Sequence, residues 1–177
     1  MSLAARIGGA WANPAASFRA ERGAEEPRLL AFAMGASAFL VIGDLAAEAL
    51  RPTIAAEARQ VWIASRVFAG FSFFPLALYA SAALIRAAAR LAGGSGGWRA
   101  TRLALFWSGV VSGPAAAAAI ALGAAAGAPE AGRLAAGLFW VGLLSPMLAE
   151  AHGLRPVAVL VAFLAAAAAA FALARFA

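Results

Sequence analysis

The chain has 177 residues, of which 64% are hydrophobic and 12% are charged, and its mean hydropathy is +0.86. This composition excludes an ordinary soluble domain and indicates a membrane protein. All 14 basic residues are arginine, and they stand between apolar blocks without forming a basic face interleaved with aromatic residues, which argues against nucleic-acid binding. The chain has no cysteine, which excludes disulfides, a thiolate nucleophile and cysteine-based metal sites.

Residues 1–28 form the first segment and lack the continuous apolar core of a cleavable signal peptide, so we expect them to remain on the mature protein. Trp11 and Phe18 stand among small residues close to Arg19, and Pro27 precedes the first apolar block. Trp and Arg side chains both favour the headgroup level of a bilayer. The segment is predicted to be a short amphipathic stretch lying in the cytoplasmic interface, and the alternative is a disordered tail.

Five apolar blocks follow, each of about 20 residues, the length that the roughly 30 Å hydrocarbon core requires of a helix. They cover residues 29–50, 61–86, 102–127, 132–151 and 156–174. Backbone groups within lipid must be hydrogen-bonded inside their own segment, so blocks of this length are helices. The predicted fold class is all-α, a polytopic membrane bundle of about five transmembrane helices in one domain, residues 29–177.

The arginines divide unequally between the two ends of these helices. Nine are assigned to one end: Arg6, Arg19, Arg22, Arg28, Arg86, Arg90, Arg99, Arg102 and Arg155. Four are assigned to the other end, namely Arg51, Arg59, Arg133 and Arg175, and Arg66 lies within a block. The positive-inside rule predicts a cytoplasmic N-terminus and, with five spans, an external C-terminus. The expected location is the bacterial inner membrane.

Asp44 and Arg66 lie at similar distances along the chain from the middle of the first external loop, near residue 55. An antiparallel hairpin would therefore bring them to a similar depth. A single charge at the bilayer centre costs about 2.5–3.5 kcal/mol on insertion scales, so we expect an intramembrane ion pair. The pair is either a structural salt bridge near the interface or a relay or gate in a transport path.

Three blocks contain an internal proline: Pro75, Pro114 and Pro146. A proline removes one helix hydrogen bond and loosens the preceding turn, and transporters use such breaks for substrate sites. The blocks contain no cluster of carboxylates that could bind an ion, so a packing kink is the simpler interpretation. No cofactor is predicted.

The stretch SPMLAEAHGLRP, residues 145–156, contains the only histidine. Zinc requires three or four ligands, which one histidine without cysteine cannot supply, so no metal site is predicted. Gly153 and Pro156 are typical of a helix end followed by the first turn of another helix. Because Glu150 and the helix dipole would favour protonated His152, these residues form either a plain helix cap or a pH-sensitive one.

The sequence contains no serine elbow, Walker loop, pair of catalytic carboxylates or dinucleotide glycine fingerprint, so no enzyme activity is predicted. The sequence GGSGG at 93–97 superficially has the composition of a phosphate loop, but it follows a transmembrane block and lacks the residues that would complete one. It is predicted to be a flexible cytoplasmic turn.

Residues 78–114, LYASAALIRAAARLAGGSGGWRATRLALFWSGVVSGP, resemble the hallmark of the Yip (Ypt/Rab-interacting protein) membrane family. Bacterial members of that family show a span that ends in basic residues, a Gly-Gly turn followed by an aromatic residue and a threonine, and a span broken by proline. The matching residues are Arg86, Arg90, Gly93, Gly94, Trp98, Thr101 and Pro114. The stretch NPAASFRAERGAEEP at 13–27 is similar to the family's approach to the first span.

The resemblance implies five spans with a cytoplasmic N-terminus, which agrees with the arginine count. Eukaryotic relatives bind Rab-type GTPases, but their Tyr-Gly-Pro signature is absent here, and the family's motif residues imply no catalytic role. We therefore expect a non-enzymatic membrane-organising or interaction scaffold. Its expected partners are the lipid bilayer, anionic lipid headgroups at the cytoplasmic face and a protein partner. The alternatives are a small transporter or channel and an accessory subunit of a larger membrane complex.

Overall fold

The computed structural model describes residues 2–174, which form seven helices and no strand. The helices are α1 (Leu3–Ala12), α2 (Pro14–Glu21), α3 (Glu26–Leu50), α4 (Ala56–Leu91), α5 (Trp98–Ala125), α6 (Pro129–His152) and α7 (Pro156–Ala174). The predicted all-α fold class is confirmed. Arg175, which was assigned to the external end, lies outside the described residues.

Four helices, α3 to α6, are long and apolar enough to cross a membrane. The fifth predicted span corresponds to α7, which is not among these four helices, so a fifth span stays a prediction. Helix α4 extends several residues beyond its predicted block at both ends, and α5 begins four residues before its block. The apolar blocks were too short because helical hydrogen bonding continues into the charged flanks.

Local sequence explains where several helices begin and end. Asn13 caps α2 by accepting a hydrogen bond from the Ala16 N–H at 3.0 Å, and Pro14 occupies the first turn. Helix α6 ends at Gly153, whose φ of 70° is the left-handed conformation that glycine adopts without a Cβ penalty. Pro156 then begins α7, as the sequence predicts.

Helix α5 is the centre of the bundle. It is the most buried of the four long helices and packs against α3, α4 and α6, whereas α4 is the least buried. Leu105, Phe106 and Trp107 on α5 have no exposed surface. Helices α5 and α6 pack closely near the C-terminal end of α5, since a Cβ added to Gly123 would lie 2.6 Å from the Cα of Gly132.

Helices α1 and α2 form an N-terminal hairpin, residues 3–21, that packs against α5 and α6. Ala10 and Phe18 are buried in this contact. The N-terminal segment is therefore helical and belongs to the bundle, so the disordered-tail alternative does not describe it.

Candidate functional site

One end of the bundle carries most of the charge, and we call it the arginine face. Here α3 and α5 begin and α4 and α6 end. Its nine arginines and four glutamates are Arg6, Arg19, Arg22, Arg28, Arg86, Arg90, Arg99, Arg102, Arg155, Glu21, Glu25, Glu26 and Glu150. The described residues of the opposite end are balanced: Arg51, Arg59, Arg66 and Arg133 against Asp44, Glu48, Glu57 and Glu130. The arginine face therefore has a surplus of five positive charges.

Glu150 connects the N-terminal hairpin to the end of α6. Its carboxylate oxygens accept hydrogen bonds from Arg22 at 2.7 Å and from Arg19 at 2.9 Å. The arginine side chains are about half exposed and Glu150 is 27% exposed, so each ion pair stabilises the contact by about 1 kcal/mol or less. The role of Glu150 in this structure is to hold α2 against α6.

Glu21 is a second carboxylate that serves two arginines. It is only 6% exposed and pairs with Arg6 of α1 and with Arg28 of α3, the latter at 2.7 Å. The Arg6 guanidinium also lies over the indole ring of Trp107, 4.8 Å from the ring centroid. Because Arg6 and Arg28 are 22% and 48% exposed, breaking one of these pairs costs less than the about 3–5 kcal/mol typical of a fully buried pair. This cluster therefore fixes the hairpin against α3 and α5.

Arg102 is a buried cation in the first turns of α5. Its guanidinium makes a two-pronged hydrogen bond to Glu26 of α3, with both N–O distances at 2.6 Å. It also lies over the rings of Trp98 and Tyr79, at 5.2 and 5.6 Å from their centroids. Two parallel charge-assisted hydrogen bonds and two aromatic faces compensate for the loss of water. Arg102 thus joins α3, α4 and α5 and does not present its charge to a ligand.

The glycine loop, residues 92–97, packs over the end of α6 and covers His152. The Ser95 N–H donates to the His152 carbonyl oxygen at 3.0 Å, and the Thr101 hydroxyl lies 2.9 Å from His152 Nε2. His152 is 2% exposed. The loop is therefore a fixed contact between α5 and α6, which differs from the flexible turn predicted from its glycines.

The glycines of this loop are required by close contacts and by backbone conformation. A Cβ on Gly96 would lie 2.5 Å from the Ala151 carbonyl oxygen and 2.6 Å from His152 Nδ1. A Cβ on Gly94 would lie 3.0 Å from the Cβ of His152, and Gly93 has a φ of 85°. These steric requirements give a physical reason for the Gly-Gly turn, whatever family the chain belongs to.

Glu150 and His152 do not form a joint site. The glutamate pairs with Arg19 and Arg22, whereas the imidazole faces Thr101 and the glycine loop. Among residues 2–174 no group of three or more His, Cys, Asp or Glu side chains could hold a metal ion. The plain-cap interpretation accounts for the geometry of His152, and pH sensitivity stays a prediction.

Pro114 interrupts the hydrogen-bond ladder near the middle of α5. It cannot donate to the carbonyl four residues earlier, and its ring loosens the preceding turn. In that turn the Val111 carbonyl oxygen accepts a hydrogen bond from the Trp11 indole N–H at 2.6 Å. Val111 lies 13 residues after Trp98, about 20 Å along the helix axis. Trp11 therefore reaches the middle of α5 instead of remaining at the helix ends, where a headgroup-level tryptophan would lie.

Asp44 and Arg66 are brought together as predicted. The closest N–O distance is 3.7 Å, and the side chains are 26% and 48% exposed. The Arg66 guanidinium also lies 5.6 Å from the centroid of the Trp62 ring. The geometry is that of a loose, partly exposed salt bridge.

Pro75 and Pro146 do not meet at a common site. Pro75 is buried within α4 and Pro146 is partly buried within α6, and both helices continue through their proline. The lateral cavity is lined by Phe74 and Ala77, one and two residues from Pro75, but by no residue within two positions of Pro146.

A lateral cavity of about 370 Å³ lies between α3, α4, α5 and α6. Most of its walls are small or apolar side chains, including Ala36, Phe39, Ala77, Gly109, Gly113 and Ala136. Asp44 and Arg133 supply charge to its lining. Asp44 was predictable from the sequence, but the cavity was not, because its volume arises from small residues on four separate helices.

Comparisons of the chain with protein-family models, with curated proteins and with solved structures give no match. The Yip resemblance therefore stays a prediction that depends on residues 78–114. The established description is an all-α chain with four helices that are long and apolar enough to span a membrane.

Proposed function

We propose that this protein is a non-enzymatic scaffold of the bacterial inner membrane, of the Yip type, that organises lipids or holds a protein partner at its arginine face. The observation that carries the proposal is the surplus of five positive charges at that face, whereas the charges of the opposite end balance among residues 2–174. Cytoplasmic flanks of membrane spans carry an excess of arginine and lysine, so the arginine face is cytoplasmic in this proposal. Anionic headgroups of the cytoplasmic leaflet are then its nearest partners.

Arg90 and Arg155 are the arginines best placed for this contact. Both are exposed, and no carboxylate of the described residues lies within salt-bridge distance of either. Arg102, in contrast, is bound to Glu26, and the Nε of Arg99 donates to the Ala24 carbonyl oxygen at 2.9 Å. Replacing Arg99 or Arg102 would perturb the fold, so the lipid contact is best tested at Arg90 and Arg155.

The test is lipid selectivity of the full chain reconstituted in vesicles, with spin-labelled phosphatidylglycerol and phosphatidylcholine as probes. Each arginine near an anionic surface is worth about 1 kcal/mol, so we expect phosphatidylglycerol to be enriched beside the protein. Arg90→Gln together with Arg155→Gln should lower that enrichment, and added salt should lower it further in the wild type.

The matched control replaces the same two residues by lysine, which keeps the charge. Selectivity should then remain close to that of the wild type. If the glutamine variant keeps the wild-type selectivity, headgroup contact at the arginine face is refuted.

The proposal also includes a protein partner bound at the arginine face. If that partner belongs to a larger membrane complex, this chain is its accessory subunit. Purification under mild conditions from native membranes would show which proteins accompany the chain. Loss of one co-purifying protein in the Arg90→Gln, Arg155→Gln variant, with the lysine variant unaffected, would place that partner at the arginine face.

A small transporter is the second candidate, because the lateral cavity borders Asp44 of the Asp44–Arg66 pair. Between that cavity and the arginine face, the side chains of Leu105, Phe106 and Trp107 are fully buried, so transport would require this packing to open. Solute flux into proteoliposomes that disappears in Asp44→Asn would favour transport over the scaffold.

A further inference from the structure

The lateral cavity has the depth of one leaflet of a bilayer. On α5 its lining extends from Gly109 to Ile120, which corresponds to about 16 Å along the helix axis. The hydrocarbon core of a membrane is about 30 Å thick, so one leaflet contributes about half of that. The cavity volume of about 370 Å³ also falls within the range of ligand-binding pockets. The space therefore has the dimensions of a single acyl chain.

The cavity is open to the side of the bundle. Its lining includes Ala77 of α4 and Gly137 of α6, and both residues are exposed. Ser112 and Ala116 of α5 line the same space but are only 3% and 7% exposed. An acyl chain could thus enter between α4 and α6 and reach residues that lipids at the outer surface of the bundle do not contact.

A second, charged cavity of about 510 Å³ adjoins the lateral cavity, and we call it the charged vestibule. Asp44 and Arg133 line both spaces. The vestibule is further lined by Arg51 and Arg66, and the Arg66 guanidinium lies 3.7 Å from the carboxylate of Asp44. The apolar lateral cavity thus ends at side chains that carry both positive and negative charge.

Glu48 also lines the vestibule, but its carboxylate is occupied. Its oxygens accept hydrogen bonds from the N–H groups of Thr53 and Ile54 and from the Thr53 hydroxyl, at 2.7–3.0 Å. Asp44 is therefore the carboxylate of the vestibule that remains available to an ammonium group, since its only salt bridge among the described residues is the loose 3.7 Å pair with Arg66.

We propose that the lateral cavity and the charged vestibule together bind one phospholipid with an amine-bearing headgroup, taken from the adjacent leaflet. One acyl chain fills the lateral cavity, the phosphate contacts Arg66 and Arg133, and the ammonium contacts Asp44. Apolar walls and charges of both signs match the two parts of such a molecule. The site lies at the opposite end from the arginine face and does not depend on the function proposed for that face.

The experiment is photo-crosslinking of the full chain in nanodiscs that contain phosphatidylethanolamine with a diazirine on one acyl chain. Labelled positions are mapped by peptide mass spectrometry. Surface lipid should label Leu122, which is 66% exposed on the same helix. Lipid in the cavity should also label Ser112 and Ala116. Labelling confined to exposed positions such as Leu122 would overturn the proposal.

Two tryptophan substitutions on α6 form a matched pair, of which one fills the cavity and the other lies outside it. Gly137→Trp should reduce labelling of Ser112 and Ala116 relative to Leu122 by at least fivefold. Gly142→Trp is the control, because a Cβ at either glycine meets no atom within 4 Å, and Gly142 does not line the cavity. An equal loss in both variants would contradict the site.

A second pair on α4 keeps the test valid if the tryptophan at Gly137 prevents folding. Ala77→Trp should also block the cavity, and Ala80→Trp is its control, because both alanines are exposed and only Ala77 lines the cavity.

The headgroup is tested with a diacylglycerol that carries the same diazirine chain but no phosphate or amine. It should label Ser112 at least fivefold less than phosphatidylethanolamine does. Arg133→Gln should lower labelling by phosphatidylethanolamine and leave labelling by diacylglycerol unchanged. Equal labelling by the two probes in the wild type would overturn the role of the charged vestibule.

Discussion

The contact between Gly96 and His152 gives a sharp prediction about the arginine face. In Gly96→Ala, the new methyl group would lie 2.5 Å from the Ala151 carbonyl oxygen, whereas an ordinary contact is 3.4 Å or more. The loop must therefore move by about 0.9 Å. Because Gly96 does not have a positive φ, this steric contact, and not backbone strain, is the cause of the movement.

The movement breaks specific hydrogen bonds. A shift of this size would lengthen the 3.0 Å bond from the Ser95 N–H to the His152 carbonyl to about 3.9 Å, beyond hydrogen-bond distance. The 2.9 Å contact between Thr101 and His152 would be displaced with it. At about 0.5–1.5 kcal/mol for each bond, the free energy of unfolding should fall by about 1–3 kcal/mol.

The assay is unfolding of the purified protein in mixed micelles with increasing SDS, followed by tryptophan fluorescence. Gly97→Ala is the control, since a Cβ at Gly97 meets nothing within 4 Å. Because Gly97 is the N-cap of α5, where glycine is favoured over alanine, that variant should lose about 0.5–1 kcal/mol of unfolding free energy, less than Gly96→Ala. If Gly96→Ala is as stable as Gly97→Ala, the loop is not packed on His152 as described.

Three further predictions concern the N-terminal hairpin and the orientation. Glu150→Gln should release α2 from α6, because the Arg19 and Arg22 ion pairs are lost, and trypsin should then cleave the hairpin faster than in the wild type. Trp11→Phe should lower the free energy of unfolding by about 1 kcal/mol, because the indole hydrogen bond is lost, as measured by the same SDS titration. Since the chain has no cysteine, Ser95→Cys should react with a membrane-impermeant maleimide only after the cells are permeabilised, whereas Glu57→Cys should react in intact cells.

Unchanged cleavage in the glutamate variant would mean that the buried Glu21 cluster alone holds the hairpin. If Trp11→Phe is as stable as the wild type, the hydrogen bond from the Trp11 indole to the Val111 carbonyl oxygen does not stabilise the fold. Labelling of the loop cysteine in intact cells would reverse the proposed orientation and place the arginine face outside.

The sequence predicts the long helices because a membrane span is specified by local composition. Blocks of apolar residues indicate α3 to α6, and prolines and glycines mark several of their ends. The Asp44–Arg66 pair is also predictable, because the two residues are close to the same turn and a hairpin brings them to one depth. Information within about 25 residues of chain is sufficient for these features.

The contacts of the arginine face could not be predicted in this way. Arg19 and Glu150 are 131 residues apart, and their pairing depends on how α2 and α6 are rotated about their axes. Apolar residues lie on all sides of the membrane helices, so the sequence pattern does not define which side faces a neighbour. The same reason explains why the Gly96–His152 contact and the lateral cavity were missed. Glu21 shows the same limit, because Arg22 is its neighbour in sequence, yet Glu21 pairs with Arg6 and Arg28.

The N-terminal hairpin also determines the order in which the molecule can be completed. Its Arg19 and Arg22 cannot meet Glu150 until 131 and 128 further residues have been made. At roughly 5–20 residues per second, synthesis delays the first of these contacts by about 7–26 s. During this interval the N-terminal hairpin lacks its contact with α6, although Glu21 and Trp11 can already meet their partners Arg28 and Val111 once α3 and α5 have been made. Docking of the hairpin on α6 is thus expected to be a late event of folding, which occurs after α3 and α5 have been made.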